Sequence, residues 1–261
     1  MLIYVYSGSE DGFFTAIHRI YCNRKVPDEI TSAQNYEYCL DSAVVRVADD
    51  YAAANIIRDC LSRRIGKTGL DRIRTALAYG GADKEMIIFR YIRLVFKFGK
   101  QCDSFKNDLR VIAFDDIFSK VVSEAHNFKG FMRFSELSNG IMYAEYEPDN
   151  DITAQLLDFF ADKFSGLQLI IRDAGRGLLG MYNGTEKRIA HVKNDFQPVY
   201  AEDEILFKNM WHAYFNSVNI KQRTNRRLQD RYMPRRYRKN MHETFPALSH
   251  KQREPGADLF E

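Results

Sequence analysis

The side chains best suited to chemistry crowd into residues 123–151, SEAHNFKGFMRFSELSNGIMYAEYEPDND. Glu124 and His126 fall within one helical turn, Lys129 and Arg133 follow, and Glu145, Glu147, Asp149 and Asp151 recur at spacing two. A histidine beside a carboxylate suits proton transfer, and carboxylates sharing one strand face suit a divalent cation. The candidate catalytic residues are therefore His126, Glu124, Glu147 and Asp149, and the candidate metal ligands are Glu145, Glu147 and Asp149. Each has a plainer explanation. His126 and Lys129 near a helix C-terminus complement its dipole, and Asp149, Asn150 or Asp151 can cap the helix that follows. No HExxH, nucleophile elbow or paired-cysteine pattern occurs, and the other histidines lack ligand spacing, so no metal or cofactor is expected.

A different chemistry is concentrated further along. Residues 220–240 hold nine cations, Lys221, Arg223, Arg226, Arg227, Arg231, Arg235, Arg236, Arg238 and Lys239, against Asp230 alone, a net +8. The whole chain is +3, so the remainder carries −5. Arginines interleaved with Tyr232 and Tyr237 suit phosphate contacts together with stacking on unpaired bases. The expected nucleic-acid contacts are Lys129, Arg133, Arg226, Arg227, Arg231, Arg235, Arg236 and Tyr237. The pattern does not separate DNA from RNA. The same segment would also serve as an internal strap neutralising an acidic body. A second stripe, Arg90, Arg93, Lys97 and Lys100, recurs at three, four and three residues along an otherwise apolar helix. It reads as a ridge that follows phosphates or, more plainly, as a solvated face or a partner for the acidic row.

Holding these groups in place requires a framework that periodicity partly specifies. A strand over 2–6 leads into a helix capped by Ser9 or Asp11 and running to about residue 22. Residues 23–42 read as irregular, and 44–47 as a short strand before helices over 51–64 and 69–79. Gly66-Lys67-Thr68 between them ends like a phosphate-binding loop, but Leu61 stands where that loop requires glycine. Residues 84–100 form a central buried helix. A helix over 109–129 is stopped by Gly130, and a hairpin over 131–146 turns at Ser138-Asn139-Gly140. A helix over 152–164, strands over 167–171, 177–182 and 188–192, and a helix over 202–218 complete the set. Trp211, Tyr214 and Phe215 lie on that last helix. The fold class is α+β, with a helix-rich N-terminal half packed with an antiparallel sheet and helices in the C-terminal half. One domain is expected over 1–240, with a possible seam at 101–107 and a flexible tail over 241–261.

Composition narrows the setting. At 261 residues and 45% hydrophobic content the chain can bury a full core, and no apolar run approaches a membrane span. The opening MLIYVY lacks the basic flank of a signal peptide. Cys22, Cys39, Cys60 and Cys102 are far apart and form no CxxC pair. They read as reduced thiols in small core positions, which fits a cytoplasmic protein.

Glu124-Ala125-His126, Lys129, Phe131, Arg133-Phe134, Glu147-Pro148-Asp149, Trp211, Tyr214-Phe215, Ser217 and Met233-Pro234-Arg235-Arg236-Tyr237 resemble a bacterial family of DNA metabolism proteins. The resemblance runs from the opening strand to Tyr237. It departs at Asn150-Asp151, where the family often has histidine, and at Arg238, where it has tryptophan. The family's domain, one of unknown function, also occurs fused to uracil-DNA-glycosylase-like proteins. Its stand-alone members are encoded beside a radical SAM protein of DNA modification or repair. The resemblance thus implies a DNA-binding accessory protein acting with a radical SAM partner, and it assigns no reaction. The alternatives are a nucleic-acid-processing enzyme and a protein-interaction scaffold. The enzyme would be a hydrolase using a metal on Glu145, Glu147 and Asp149, or a base-processing activity around His126. Finally, Ala257-Asp258-Leu259-Phe260-Glu261 is similar to peptides that bind the bacterial sliding clamp, with Gly256 replacing their leading glutamine. Leu259 and Phe260 would enter the clamp pocket; the plainer reading is that they pack on the protein's own surface or do nothing.

Overall fold

The computed structural model describes residues 1–192, 197–223 and 225–241. Its class is α+β, with two sheets. Two compact units are present: residues 1–124 with 149–151, and residues 125–148 with those from 152 onward. The division falls within a helix at Glu124, and residues 101–107 belong to the first unit.

In the first unit β1 (Leu2–Tyr6) is paired on both sides in parallel, by β2 (Glu29–Ser32) and β3 (Ala43–Arg46). Its continuous apolar run is what a strand buried on both faces requires. β2 corrects the irregular reading of 23–42. Four residues, three of them polar, carry no alternation signal, and pairing with β1 alone makes them a strand. α1 (Glu10–Asn23) begins at Ser9, whose Oγ accepts from Gly12 N at 2.8 Å, and buries Phe13, Phe14, Ile17 and Ile20. α2 (Tyr51–Leu77) runs through the gap expected between two helices, breaking at Gly66, where φ is 76°. That backbone conformation explains glycine in the GKT stretch without any phosphate.

α3 (Lys84–Phe98) buries Ile88, Phe89, Tyr91, Ile92, Leu94 and Val95. The Tyr91 ring stacks on Phe114, 3.8 Å away, in the first-unit part of α4 (Leu109–Phe131). Each such side chain contributes about 1.5–3 kcal/mol by leaving water. Glu85 breaks the apolar pattern: it is 1% exposed, and its Oε1 accepts from the Tyr6 hydroxyl at 2.9 Å. Burial raises its carboxyl above the ordinary 4.5. The folded state therefore holds that proton more tightly than the unfolded chain does. Stability linked to it is present below the unfolded pKa and is lost as pH rises through the folded value. Glu85→Gln should thus melt above wild type at about pH 7.5 and lose that advantage near about pH 4. An advantage equal at both pH values in thermal melts would rule out this linkage.

The second unit is built on a sheet of order β4-β5-β6-β7-β8. The strands are β4 (Ser135–Glu136), β5 (Met142–Tyr146), β6 (Leu169–Asp173), β7 (Leu178–Tyr182) and β8 (Lys187–His191). The β4–β5 hairpin turns at Asn139-Gly140 as expected, with Gly140 at φ 80°. The sheet is mixed, because β5 and β6 pair in parallel while the remaining pairs are antiparallel. The connection between β5 and β6 carries α5 (Thr153–Lys163), which returns the chain to the same end of the sheet. α5 buries Leu156, Leu157 and Phe160 and has Ile152 at its N-cap, without a side-chain cap. The expected cap by Asp149, Asn150 or Asp151 is therefore incorrect.

Two other expectations need correction. Gly130 does not stop α4, which continues to Phe131; Arg133 Nη1 donates to the Gly130 carbonyl at 2.7 Å and so satisfies its last turn. Only Cys102 of the four cysteines is buried, while Cys22 and Cys39 are exposed, one on the outer side of α1 and one in the loop before β3. Among the described residues no helix is long and apolar enough to cross a membrane. Of the expected tail only Met241 is described, and it is buried.

Candidate nucleic-acid interface

The C-terminal part of the second unit departs from ordinary packing. α6 (Glu204–Val218) has one buried residue, Glu204, whose Oε2 accepts from Glu136 N at 2.9 Å. Leu206, Phe207, Met210, Tyr214 and Val218 are each at least half exposed, and Trp211 is 38% exposed. One buried residue is far fewer than the apolar content of this helix would bury in an ordinary core. A 3₁₀ turn (Lys221–Arg223) leads to α7 (Arg226–Tyr232), capped by Asn225, whose Oδ1 accepts from Leu228 N at 3.0 Å. A second 3₁₀ turn (Arg235–Asn240) follows.

Ion pairing divides the basic segment in two. The later half is anchored. Asp230 pairs with Arg235 at 3.0 Å and Arg238 at 2.8 Å, and these two hold its carboxyl below the ordinary value, Arg235 foremost. Arg238 also donates to the Met233 carbonyl, and Lys239 lies 3.4 Å from Glu147. The Tyr237 ring meets Phe128 edge-on at 4.8 Å, with the Arg236 guanidinium over its own ring at 4.8 Å. In this half Arg235, Arg238 and Lys239 are ion-paired and the Tyr237 ring is packed on Phe128, while the Arg235 side chain stays 82% exposed. The earlier half is different. Arg223, Arg226, Arg227 and Arg231 are exposed, and among the described residues none forms an ion pair. Leu228 and Tyr232 of α7 are exposed beside them.

Two grooves flank this surface. One, of about 580 Å³, is lined by Phe131, Phe215, Arg223, Arg226, Tyr232 and Met233, among others. The other, of about 620 Å³, takes in Arg133, Phe134, Glu204, Phe207, Lys208 and Trp211. In it the Arg133 guanidinium covers the Trp211 indole at 5.4 Å. Lys208 lies over the Tyr200 ring at 4.3 Å; burial pulls its pKa down, and Glu204 partly offsets that. Lys129 lies over Phe159 at 4.8 Å. Cations held against rings in this way keep a defined direction.

The candidate acid-base and metal residues each have a place of their own. His126 is exposed on α4 and has no hydrogen-bond or ion partner among the described residues. Glu124, in the first unit, is buried and accepts from Asp149 N at 2.7 Å, Asn150 N at 2.8 Å and Asn150 Nδ2 at 2.6 Å. It pins a loop. β5 ends at Tyr146, so the spacing-two row does not continue as a strand face. Glu145 accepts from the Tyr143 hydroxyl and pairs with Arg172 at 3.2 Å, and Glu147 pairs with Lys239. Asp151 N donates to the Ala78 carbonyl. Among the described residues no three His, Cys, Asp or Glu side chains gather to hold a metal ion.

Residues 82–243 match the family described as a domain of unknown function, DUF4130. The chain belongs to this family. The DUF4130 match takes in α3, the five-stranded sheet, α6 and both halves of the basic segment, and it leaves out β1, β2 and β3. No curated protein matches the chain. Within the DUF4130 region, sequence reasoning passed over Lys208 and the exposure of α6. A signal existed: Leu206, Phe207, Met210, Trp211, Tyr214, Phe215 and Val218 cover more of the helix than one buried stripe can use.

Proposed function

We propose that this protein is a nucleic-acid-binding accessory factor whose second unit grips unstacked or single-stranded DNA. We assign it to DNA repair or modification in the cytoplasm, beside a radical SAM partner. The observation that carries the binding is that Arg223, Arg226, Arg227 and Arg231 are exposed and form no ion pair among the described residues, in a unit that also exposes Trp211, Tyr214 and Tyr232. Phosphates would neutralise guanidinium groups that no described residue neutralises, and each base stacked on an aromatic ring adds about 1–3 kcal/mol. Lys129 and Arg133, held against rings, would steer the strand along the 620 Å³ groove. The pathway and the radical SAM partner rest on the family resemblance. The sliding-clamp contact through Leu259 and Phe260 falls outside the described residues and rests on the likeness of the terminal peptide. The protein-scaffold reading draws support from Leu206, Met210 and Val218, whose exposure on α6 offers a partner protein an apolar seat.

Trp211 is the chain's one tryptophan, so its emission reports directly on this surface. Titrating the protein with single-stranded DNA, the matching duplex and the matching RNA should quench that emission saturably. Single strands should quench most, and the effect should weaken steeply with salt. Absence of both quenching and binding with all three at about 50 mM salt would overturn the proposal.

A further inference from the structure

The first unit carries a cationic surface of its own. Arg90, Arg93 and Lys97 of α3 are exposed, as is Lys100 in the 3₁₀ turn (Gly99–Ser104) that follows. α2 adds Arg64 and Lys67, also exposed. The Arg64 Nη1 donates to the Phe96 carbonyl at 2.8 Å, which ties it to α3. The break at Gly66 sets α2 against Lys100, whose Cε would lie 3.9 Å from a Cβ at that glycine. The Arg64 guanidinium lies over the Phe96 ring at 5.7 Å, and Tyr21 meets the same ring edge-on at 5.0 Å; burial pushes the Tyr21 hydroxyl up in pKa, and Arg93 and Arg64 oppose the shift. Arg93 covers Phe89 and Lys97 covers Phe98, which fixes their stems.

Among the described residues none of these six cations forms an ion pair. The acidic row that the sequence offered as a partner is engaged elsewhere, Glu145 with Arg172 and Glu147 with Lys239. The one acid on α3, Glu85, is buried against Tyr6. Like charges three and four residues apart weaken a helix. A face that costs the helix stability and has no counter-charge among the described residues is suited to an external polyanion. Seven residues separate Arg90 from Lys97, about 10 Å along the helix, or roughly three nucleotides of one duplex strand.

We propose that the α2–α3 face is a second docking surface, one that takes the phosphate backbone of nucleic acid without regard to sequence. It rests on the nucleic-acid reading of the protein but uses none of the residues of α6 or α7. The test uses the full chain with Arg90, Arg93, Lys97 and Lys100 all changed to glutamine, and follows duplex and single-stranded DNA by fluorescence anisotropy across a salt series. For duplex the slope of log affinity against log salt should fall by about 0.9 per lost contact, or about 3.6 for four, and affinity at low salt should drop at least about tenfold. The variant should melt at or slightly above wild type, since repulsion has been removed. If the quadruple variant fails to fold, Arg90→Gln with Arg93→Gln should show about half the slope change. A folded variant with wild-type affinity and slope, alongside impaired binding when Arg223, Arg226, Arg227 and Arg231 are replaced, would overturn this inference and leave the second-unit interface standing. Wild-type protein that binds phosphatidylserine-rich vesicles through these residues but no nucleic acid would overturn both.

Discussion

Replacing Arg223, Arg226, Arg227 and Arg231 together by alanine should weaken single-stranded DNA binding by about a hundredfold or more at about 50 mM salt. The slope of log affinity against log salt should flatten by about 2.8, since each lost single-strand contact removes about 0.7. Fold stability should change by no more than about 0.5 kcal/mol, because these side chains are exposed and have no ion pair among the described residues. Alanine also has higher helix propensity than arginine, so α7 itself is not weakened. Arg235→Ala and Arg238→Ala provide the contrast. Both residues pair with Asp230, so their loss should lower stability and leave the salt slope nearly intact. Anisotropy titrations paired with urea melts separate the two groups. Equal slopes for wild type and the quadruple variant would remove the phosphate role of these four arginines.

Glu124→Ala should be strongly destabilising. The carboxylate receives two backbone N–H groups and one side-chain amide, at 2.7, 2.8 and 2.6 Å, in a site that is 6% exposed. Truncation leaves those donors buried without that acceptor, at a cost of about 3–5 kcal/mol. Asn150 extends the pin, because its Oδ1 accepts from Gly80 N at 2.9 Å, holding the turn after α2. Glu124→Gln should fall between wild type and alanine, since an amide keeps one acceptor oxygen but turns a donor toward other donors. Urea unfolding reads the loss directly. If Glu124 were instead a proton-transfer group, alanine would unfold at the wild-type midpoint.

The sequence by itself determined the features that depend on neighbours along the chain. A helix cap at Ser9 or Asp11, the Asn139-Gly140 turn, the buried face of α3 and the segregation of nine cations into 220–240 follow from local propensity, periodicity and counting. These signals survive without tertiary context because one or two turns of chain contain all the groups involved. Other features were settled only when distant segments met. β2 is too short and too polar to announce itself, and exists by pairing with β1. The parallel pairing of β5 with β6 depends on where α5 packs. Asp149, Asn150 and Asp151 looked like caps because any short polar side chain before a helix does. The two backbone amides and the side-chain amide bonded to Glu124, 25 and 26 residues away, give that stretch a different task.

The interface shows the same division most sharply. Nine cations in one segment were legible as a count, but their availability was not. Asp230 collects Arg235 and Arg238 across a break between α7 and a 3₁₀ turn, and Glu147 takes Lys239 from 92 residues away. Four arginines of the earlier half remain without such partners among the described residues. Composition sets how much charge a segment carries. Whether that charge is spent inside the fold or offered to a ligand depends on distances of a few ångströms between groups remote in sequence, and only the tertiary structure sets those.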